Sequence, residues 1–216
     1  MTEATPARRR LKPEVRRERL LEAAASVFAE RGYEAARIEQ IAEAAEVSAG
    51  LLYRHFAGKR ELYAELVHRA DRELFSHLAE AAAPGPPEGR RLERGLDAVL
   101  AFVEGHRNLW RMLMRDVVDP EIAELRDESH QQAVAVVAEL IRLDPELERH
   151  QVTELEVERM AVLIVGSTTT LAEWWTDHPG VERSELVRTL MGTLWLGFER
   201  LRAGERYTVG GDLTPR

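Results

Sequence analysis

Nearly every segment of this chain repeats its apolar residues at three- and four-residue spacing, and no run of alternating β-branched residues interrupts them. That period constrains the fold most: threaded as strands, the same residues would turn about half of their apolar side chains to water. The chain is expected to be all-α, with helices near 13–31, 38–45, 48–55, 59–82, 90–105, 107–118, 121–142, 154–177 and 184–203. Local punctuation supports these limits. Gly32 follows the first amphipathic run as a stop, and the stretch APGPPEG at 83–89 separates the fourth helix from the fifth. Asp119-Pro120 supplies a cap followed by proline at the first helical position, and Thr153 with Glu156 has the spacing of a capping box.

Composition narrows the function. With 44% hydrophobic and 31% charged residues the chain is globular, and no apolar run reaches the length of a bilayer span. The N-terminal segment is basic without an apolar centre, so it does not read as a secretory signal, and a cytoplasmic location with no membrane partner is expected. The absence of cysteine excludes disulfides, thiolate metal sites and thiol catalysis. Net charge is −8 but unevenly spread: residues 1–63 hold 12 basic against 10 acidic side chains, and residues 64–216 hold 18 against 28. A nucleic-acid partner needs a basic face rather than a basic protein.

Three short helices by residue 55, with only Ala45 to Ser48 between the second and third, have helix-turn-helix spacing. The second helix of such a pair lies in the major groove and reads base edges from its first residues. The segment VSAGLLYRHFAGKREL fits that task. Ser48 can cap the helix and donate to a phosphate, Ala49 and Gly50 are small enough for close backbone approach, and Arg54 can pair bidentately with guanine. Lys59 opens the fourth helix, where an ammonium and free backbone N–H groups can together hold a phosphate. The basic arm Arg8 to Lys12 reads either as a minor-groove or phosphate contact or as a solvated tail.

Residues 16–65 resemble the TetR family of transcriptional regulators. The resemblance is carried by Leu20, Leu21, Ala23, Ala24 and Phe28, then Gly32-Tyr33, Ile41-Ala42, Ala45, Val47-Ser48, Gly50, Leu52-Tyr53, His55-Phe56, Lys59 and Leu62. It implies that Tyr53 and His55 contact phosphates, that the later helices form a ligand-binding and dimerisation domain, and that repression is the commoner sense of regulation. Two positions depart from the family pattern. Glu46 stands where glycine is usual in the turn, and Ala36-Arg37 replace a pair of hydroxyl residues, leaving Arg37 as a longer, charged phosphate anchor. The expected organisation is an arm at 1–12, a DNA-binding domain at 13–60, a ligand-binding and dimerisation domain at 61–205 and a tail at 206–216.

The last two helices read as buried on two sides. In the eighth, Met160, Leu163, Ile164, Ser167, Leu171, Trp174 and Trp175 share a broad face, opposite the smaller Val162, Val165, Thr169, Ala172 and Thr176. The ninth carries a stripe from Leu186 to Leu201 with Trp195 at its edge and Leu196 on the polar side. A homodimer packed through both helices as a four-helix bundle is expected, with Val162, Val165, Thr169, Trp195 and Leu196 at its interface; closure of a monomeric core is the alternative. For a pocket, apolar walls with a few polar groups suggest Phe102, Trp110, Met114, Thr168, Thr170, Trp174 and Trp175. The run Ser167-Thr168-Thr169-Thr170 puts four hydroxyls in a buried helix, satisfied either by a ligand or by their own helix carbonyls.

No cofactor or metal is expected. Glu65-x-x-His68 has the spacing of half a di-iron site, but no second copy exists, and phosphate-binding, dinucleotide-binding and hydrolase motifs are absent. Three readings stand at this point: a repressor released from a near-palindromic DNA operator by a small, largely apolar effector; a regulator of the same kind without a small-molecule inducer; and a helical binding protein or enzyme that does not bind DNA.

Overall fold

The computed structural model describes residues 13–81 and 88–203; the arm at 8–12, the proline-glycine stretch at 83–87 and the tail at 206–216 lie outside them. The described residues form α1 (Pro13–Ala35), α2 (Ile38–Ala44), α3 (Ala49–Tyr53), α4 (Lys59–Ala81), α5 (Glu88–Gly105), α6 (Arg107–Met114), α7 (Pro120–Arg142), α8 (Pro145–Arg149), α9 (Glu154–Thr176), α10 (Arg183–Leu190) and α11 (Leu196–Arg202). A π-helical turn, Met191–Trp195, joins α10 to α11 as one continuous run. The nine expected helices are all present and no strand occurs among the described residues; the short α8 is an addition.

Capping works as the residue types dictate. Asp119 accepts from the backbone N–H groups of Glu121 at 3.1 Å and Ile122 at 3.3 Å, starting α7 at Pro120. At α9, Thr153 Oγ1 accepts from Glu156 N at 3.3 Å while the Glu156 carboxylate accepts from Thr153 N at 2.8 Å, a reciprocal box. Gly32 has φ 78°, which only glycine adopts at little cost, and there α1 bends away from its first turns, about five of them.

The helix-turn-helix unit closes around Leu20, Leu21, Ala24, Phe28, Ile41, Leu52, Phe56 and Leu62, all buried. Phe28, Tyr33 and Tyr63 form an aromatic cluster, with Tyr63 edge-on to both at 5.3 Å between centroids. Tyr63 belongs to α4, and its hydroxyl donates to the Met112 carbonyl of α6 at 3.3 Å. Burial raises its pKa to about 12. One long helix thus belongs to both halves of the molecule: the first turns of α4 complete the small N-terminal core, and the remainder packs on α5 and α7. In the C-terminal half, α7 packs on α9 and α5 on α10, which leaves one side of α9 and of the α10–α11 run uncovered.

The buried arc of α9 differs from the expected one. Val157, Met160, Ala161, Ile164, Thr168, Ala172 and Trp175 face inward, while Leu163 and Trp174 face outward. Both edges of this helix are apolar, so period alone could not orient it; packing against α7 and α6 sets which edge is buried.

Candidate DNA-reading surface and ligand cavity

Ser48 caps α3 by accepting from Leu51 N at 3.3 Å. Behind it, Ala49 packs on the core, and Gly50 is exposed; a methyl group placed there meets nothing within 4 Å. Nothing in the chain's own packing demands glycine at that position, so the space it leaves is on the outer surface. Tyr53 is 53% exposed and Arg54 is exposed at the C-cap of α3, with His55 half-buried beside them. Arg37 is exposed at the start of α2, where Gln40 Oε1 accepts from its backbone N–H at 3.1 Å. Neither Arg37 nor Arg54 is held by an ion pair among the described residues. One exposed face therefore presents Ser48, Gly50, Tyr53 and Arg54 together. In the turn before it, Glu46 takes φ 56°, a left-handed conformation usually left to glycine.

Lys59 is engaged within the chain. Its ammonium donates to the carbonyls of Tyr33 at 2.6 Å, Glu34 at 3.2 Å and Ala36 at 3.2 Å, and lies 4.4 Å from the centre of the Tyr33 ring. All three of its donors are directed at the end of α1. The reason is the bend at Gly32, which leaves those carbonyls without helical partners.

A second cation holds the same end. Arg115 Nη1, just past α6, donates to the carbonyls of Ala29 at 2.6 Å and Glu30 at 3.2 Å. The Glu34 carboxylate accepts from Val118 N at 2.6 Å and Asp119 N at 3.3 Å, and the Val118 N–H holds it below the usual glutamate range. Arg60 pairs with Asp119 at 3.2 Å and Glu121 at 2.9 Å, and Asn108 donates to Ser26 Oγ at 2.8 Å. The loop between α6 and α7 is thus tied to the DNA-reading unit at several points. No sequence signal announces this junction, because each of its partners is far along the chain.

Between α4, α5, α6, α7, α9 and α11 lies a cavity of about 420 Å³. Its lining on α4 runs from Val67 to Ala81, and on α7 from Arg126 to Ile141, roughly 20 Å of helix in each case. Leu74, Phe75, Leu92, Leu96, Val137, Ile141, Met160 and Phe198 make its walls mostly apolar, with Asp71, Arg91, Arg126, Ser129 and His130 as polar groups at the margins. Of the expected pocket residues, Phe102, Trp110, Met114 and Thr168 line it. Three do not. Thr170 and Trp174 are exposed, Trp174 stacking on His178 at 3.9 Å, and Trp175 is buried elsewhere, donating to the Val181 carbonyl at 2.8 Å with Arg107 over its ring. Conversely Val165, Thr169 and Trp195, expected at a dimer interface, belong to the cavity wall, whereas Val162 and Leu196 are exposed. The orientation of α9 accounts for Val165 and Thr169. Trp195 sits in the π turn, whose wider winding carries it toward the cavity. Glu65 is engaged by Arg17 at 3.1 Å and Arg72 at 3.3 Å, and no metal-ligating cluster occurs among the described residues.

A helix-turn-helix unit joined by α4 to a helical domain with an apolar cavity defines the class of one-component DNA-binding regulators. Residues 20–66 match the bacterial regulatory proteins of the tetR family, and residues 88–197 match the tetracyclin repressor-like C-terminal domain. The chain belongs to the TetR family and is a DNA-binding transcriptional regulator rather than an enzyme. It is 30% identical over 196 residues to the HTH-type transcriptional activator FasR of Mycolicibacterium smegmatis, covering 89% of this chain and 87% of that one. Over 91 residues it is 50% identical to the HTH-type transcriptional repressor KstR2 of Mycobacterium tuberculosis, 42% of this chain and 46% of that one. Among solved structures, FadR of Bacillus subtilis in complex with stearoyl-CoA has the same fold, with TM-score 0.67 and 17% identity over 88% of this chain and 99% of that one. No helix among the described residues is long and apolar enough to cross a membrane.

Proposed function

We propose that the protein is a cytoplasmic homodimeric repressor that leaves a near-palindromic operator when an elongated, largely apolar effector enters the cavity. One observation carries the reading: α4 grips the end of α1 through Lys59 at its first residue and walls the cavity through Val67 to Ala81. A rigid helix shared in this way converts a change of cavity shape into a change in the position of α3. In a dimer packed through α9 and α10–α11, two copies of α3 enter successive major grooves, about 34–36 Å apart on B-form DNA. Arg54 reads a base edge, Ser48, Tyr53 and Arg37 hold phosphates, His55 supports them, and Ala49 and Gly50 admit the backbone closely. An effector that favours a different tilt of α4 breaks this spacing. By linkage, operator DNA must weaken effector binding by the same factor.

The shape and lining of the cavity support an acyl-like occupant, and FadR, of the same fold, was solved with stearoyl-CoA. The two relatives carry opposite signs of regulation in their names, activator for FasR and repressor for KstR2. The test is selection of duplexes from a random pool by the purified protein, followed by titration of the enriched site with and without long-chain acyl compounds. An enriched palindrome released by such a compound is expected. Enrichment without release by any of them removes the effector half of the reading, and binding without enrichment removes the operator half.

A further inference from the structure

Two buried polar atoms, in residues that line the cavity, have no hydrogen-bond partner among the described residues. They are the indole Nε1 of Trp110 and the hydroxyl Oγ1 of Thr168, in residues 5% and 4% exposed. Buried polar groups are seldom left unpaired, because each forfeits its hydrogen bonds to water on folding. The neighbours of Thr168 show that its state is not forced by the helix: Ser167 donates to the Leu163 carbonyl at 2.6 Å, and Thr176 to the Glu173 carbonyl at 2.8 Å. The two residues lie on α6 and α9, which pack against each other, and both line the cavity together with Leu113, Met114 and Ile164. Tryptophan offers only a donor there; threonine offers a donor and can accept, and its two common helical rotamers allow Oγ1 to turn toward the cavity.

We infer that the effector carries an oxygen acceptor, a keto or hydroxyl group, within its apolar body, and that Trp110 and Thr168 recognise it. This rests on the proposed function, since it specifies the ligand of the same cavity. A purely hydrocarbon chain leaves both donors unpaired when bound, whereas an oxygen at the right depth satisfies them and excludes chains that lack it or carry it elsewhere. The penalty for a chain that lacks the oxygen falls on groups already buried.

Calorimetric titration of the full chain with tetradecanoic acid and a series of keto- and hydroxytetradecanoic acids, substituted at successive carbons, tests the inference. At least one position in the series is expected to bind about tenfold more tightly than the unsubstituted acid, as two modest net hydrogen bonds provide. Trp110→Phe and Thr168→Val are expected to reduce that preference, read within each variant as the ratio of affinities for the substituted and the unsubstituted acid. Without ligand, Thr168→Val is expected to keep its thermal stability, because it keeps the side-chain shape and removes no bond made in the folded chain, whereas Trp110→Phe loses only the packing of its second ring. Equal affinity across the series, or a preference that survives both substitutions, overturns the inference and leaves the apolar-effector reading standing. If no member binds, both fall together. A large loss of stability in Thr168→Val also overturns it, since that near-isosteric change then shows the hydroxyl to be satisfied by the protein itself.

Discussion

Arg115 donates to the Ala29 carbonyl at 2.6 Å, tying the residue after α6 to the end of α1 across 86 positions of sequence. The same α6 exposes Trp110, Leu113 and Met114 to the cavity, so a movement of its apolar face pulls directly on the DNA-reading unit. Charge-assisted hydrogen bonds are among the stronger ones, but this guanidinium is exposed, so Arg115→Ala is expected to cost about 1–2 kcal/mol. For a chain of this size that corresponds to a fall of roughly 2–8 °C in thermal midpoint. The more informative readout is the ratio of DNA affinities with and without effector. It is expected to shrink toward unity in Arg115→Ala, and a ratio equal to that of the unmodified protein would show that the junction carries no coupling.

Arg54 and Lys59 are both cations near the DNA face, yet the structure separates them. Arg54→Ala is expected to cost about 1–3 kcal/mol in operator binding and to relax one or two base positions, measured by repeating the duplex selection. Lys59→Met removes three donors from the carbonyls of Tyr33, Glu34 and Ala36. Its expected effect is a loss of about 2 kcal/mol of folding stability. The slope of log affinity against log salt is expected to stay as it is in the unmodified protein. A slope shallower by about one would instead return Lys59 to the phosphates.

Glu46 closes the helix-turn-helix at φ 56°. A side chain in the left-handed region costs roughly 1–2 kcal/mol, partly offset on replacement by the greater freedom of glycine in the unfolded chain. Glu46→Gly is therefore expected to stabilise the protein by up to about 1 kcal/mol in denaturant unfolding, with operator preference unchanged. A destabilised variant would mean that the glutamate side chain contributes more than its backbone conformation costs.

These cases show how unevenly the sequence discloses the molecule. Local features were legible: the caps at Ser48, Asp119 and Thr153 lie where their residue types predict, and the helix-turn-helix is recognisable from spacing alone. The burial of Phe56, Leu52 and Leu62 follows from the same periodicity. What remained hidden depends on partners distant in sequence. The contacts of Lys59 could not be foreseen, because the bend at Gly32 delivers three distant carbonyls to it. Trp174 and Trp175 are adjacent and chemically alike, yet one stacks on the surface and the other is core, because the orientation of α9 is set by α6 and α7. A cavity wall and a packed core have the same apolar period, so Leu74, Val137 and Phe198 could be read as buried but not as lining anything.

Acid should loosen the junction before it unfolds the core. Two backbone N–H groups, Val118 foremost, hold the Glu34 carboxyl below the usual range. A depressed folded-state pKa means that its contribution is fully present above the unfolded value, about 4.3, and is lost as pH falls through the folded one. Glu34→Gln is expected to remove that acid-dependent contribution, so its stability should fall less steeply than that of the unmodified protein below about pH 4. The difference is expected to be small, because the carboxylate is exposed. Parallel unfolding curves across that range would exclude the role.

The outward side of α9 and the α10–α11 run offers the remaining test. Leu163 is 64% exposed and Leu196 60%, with Leu155, Val162 and Trp174 exposed on the same helix as Leu163. Large apolar side chains exposed along these two elements suit a subunit interface, and a stable one removes on the order of 800 Å² from each partner. At a two-fold interface each substitution enters twice, so an introduced charge meets its own copy across the contact. Leu163→Asp is therefore expected to shift the protein from dimer to monomer in sedimentation at micromolar concentration, while Leu163→Ala, which removes contact without adding charge, weakens the dimer less. A monomer holds only one α3, so affinity for the full palindrome should fall to that for a single half-site, with base preference in that half-site retained. If Leu163→Asp and Leu196→Asp both remain dimeric, the subunits meet through another surface, and the spacing of the two recognition helices must be derived from that surface instead.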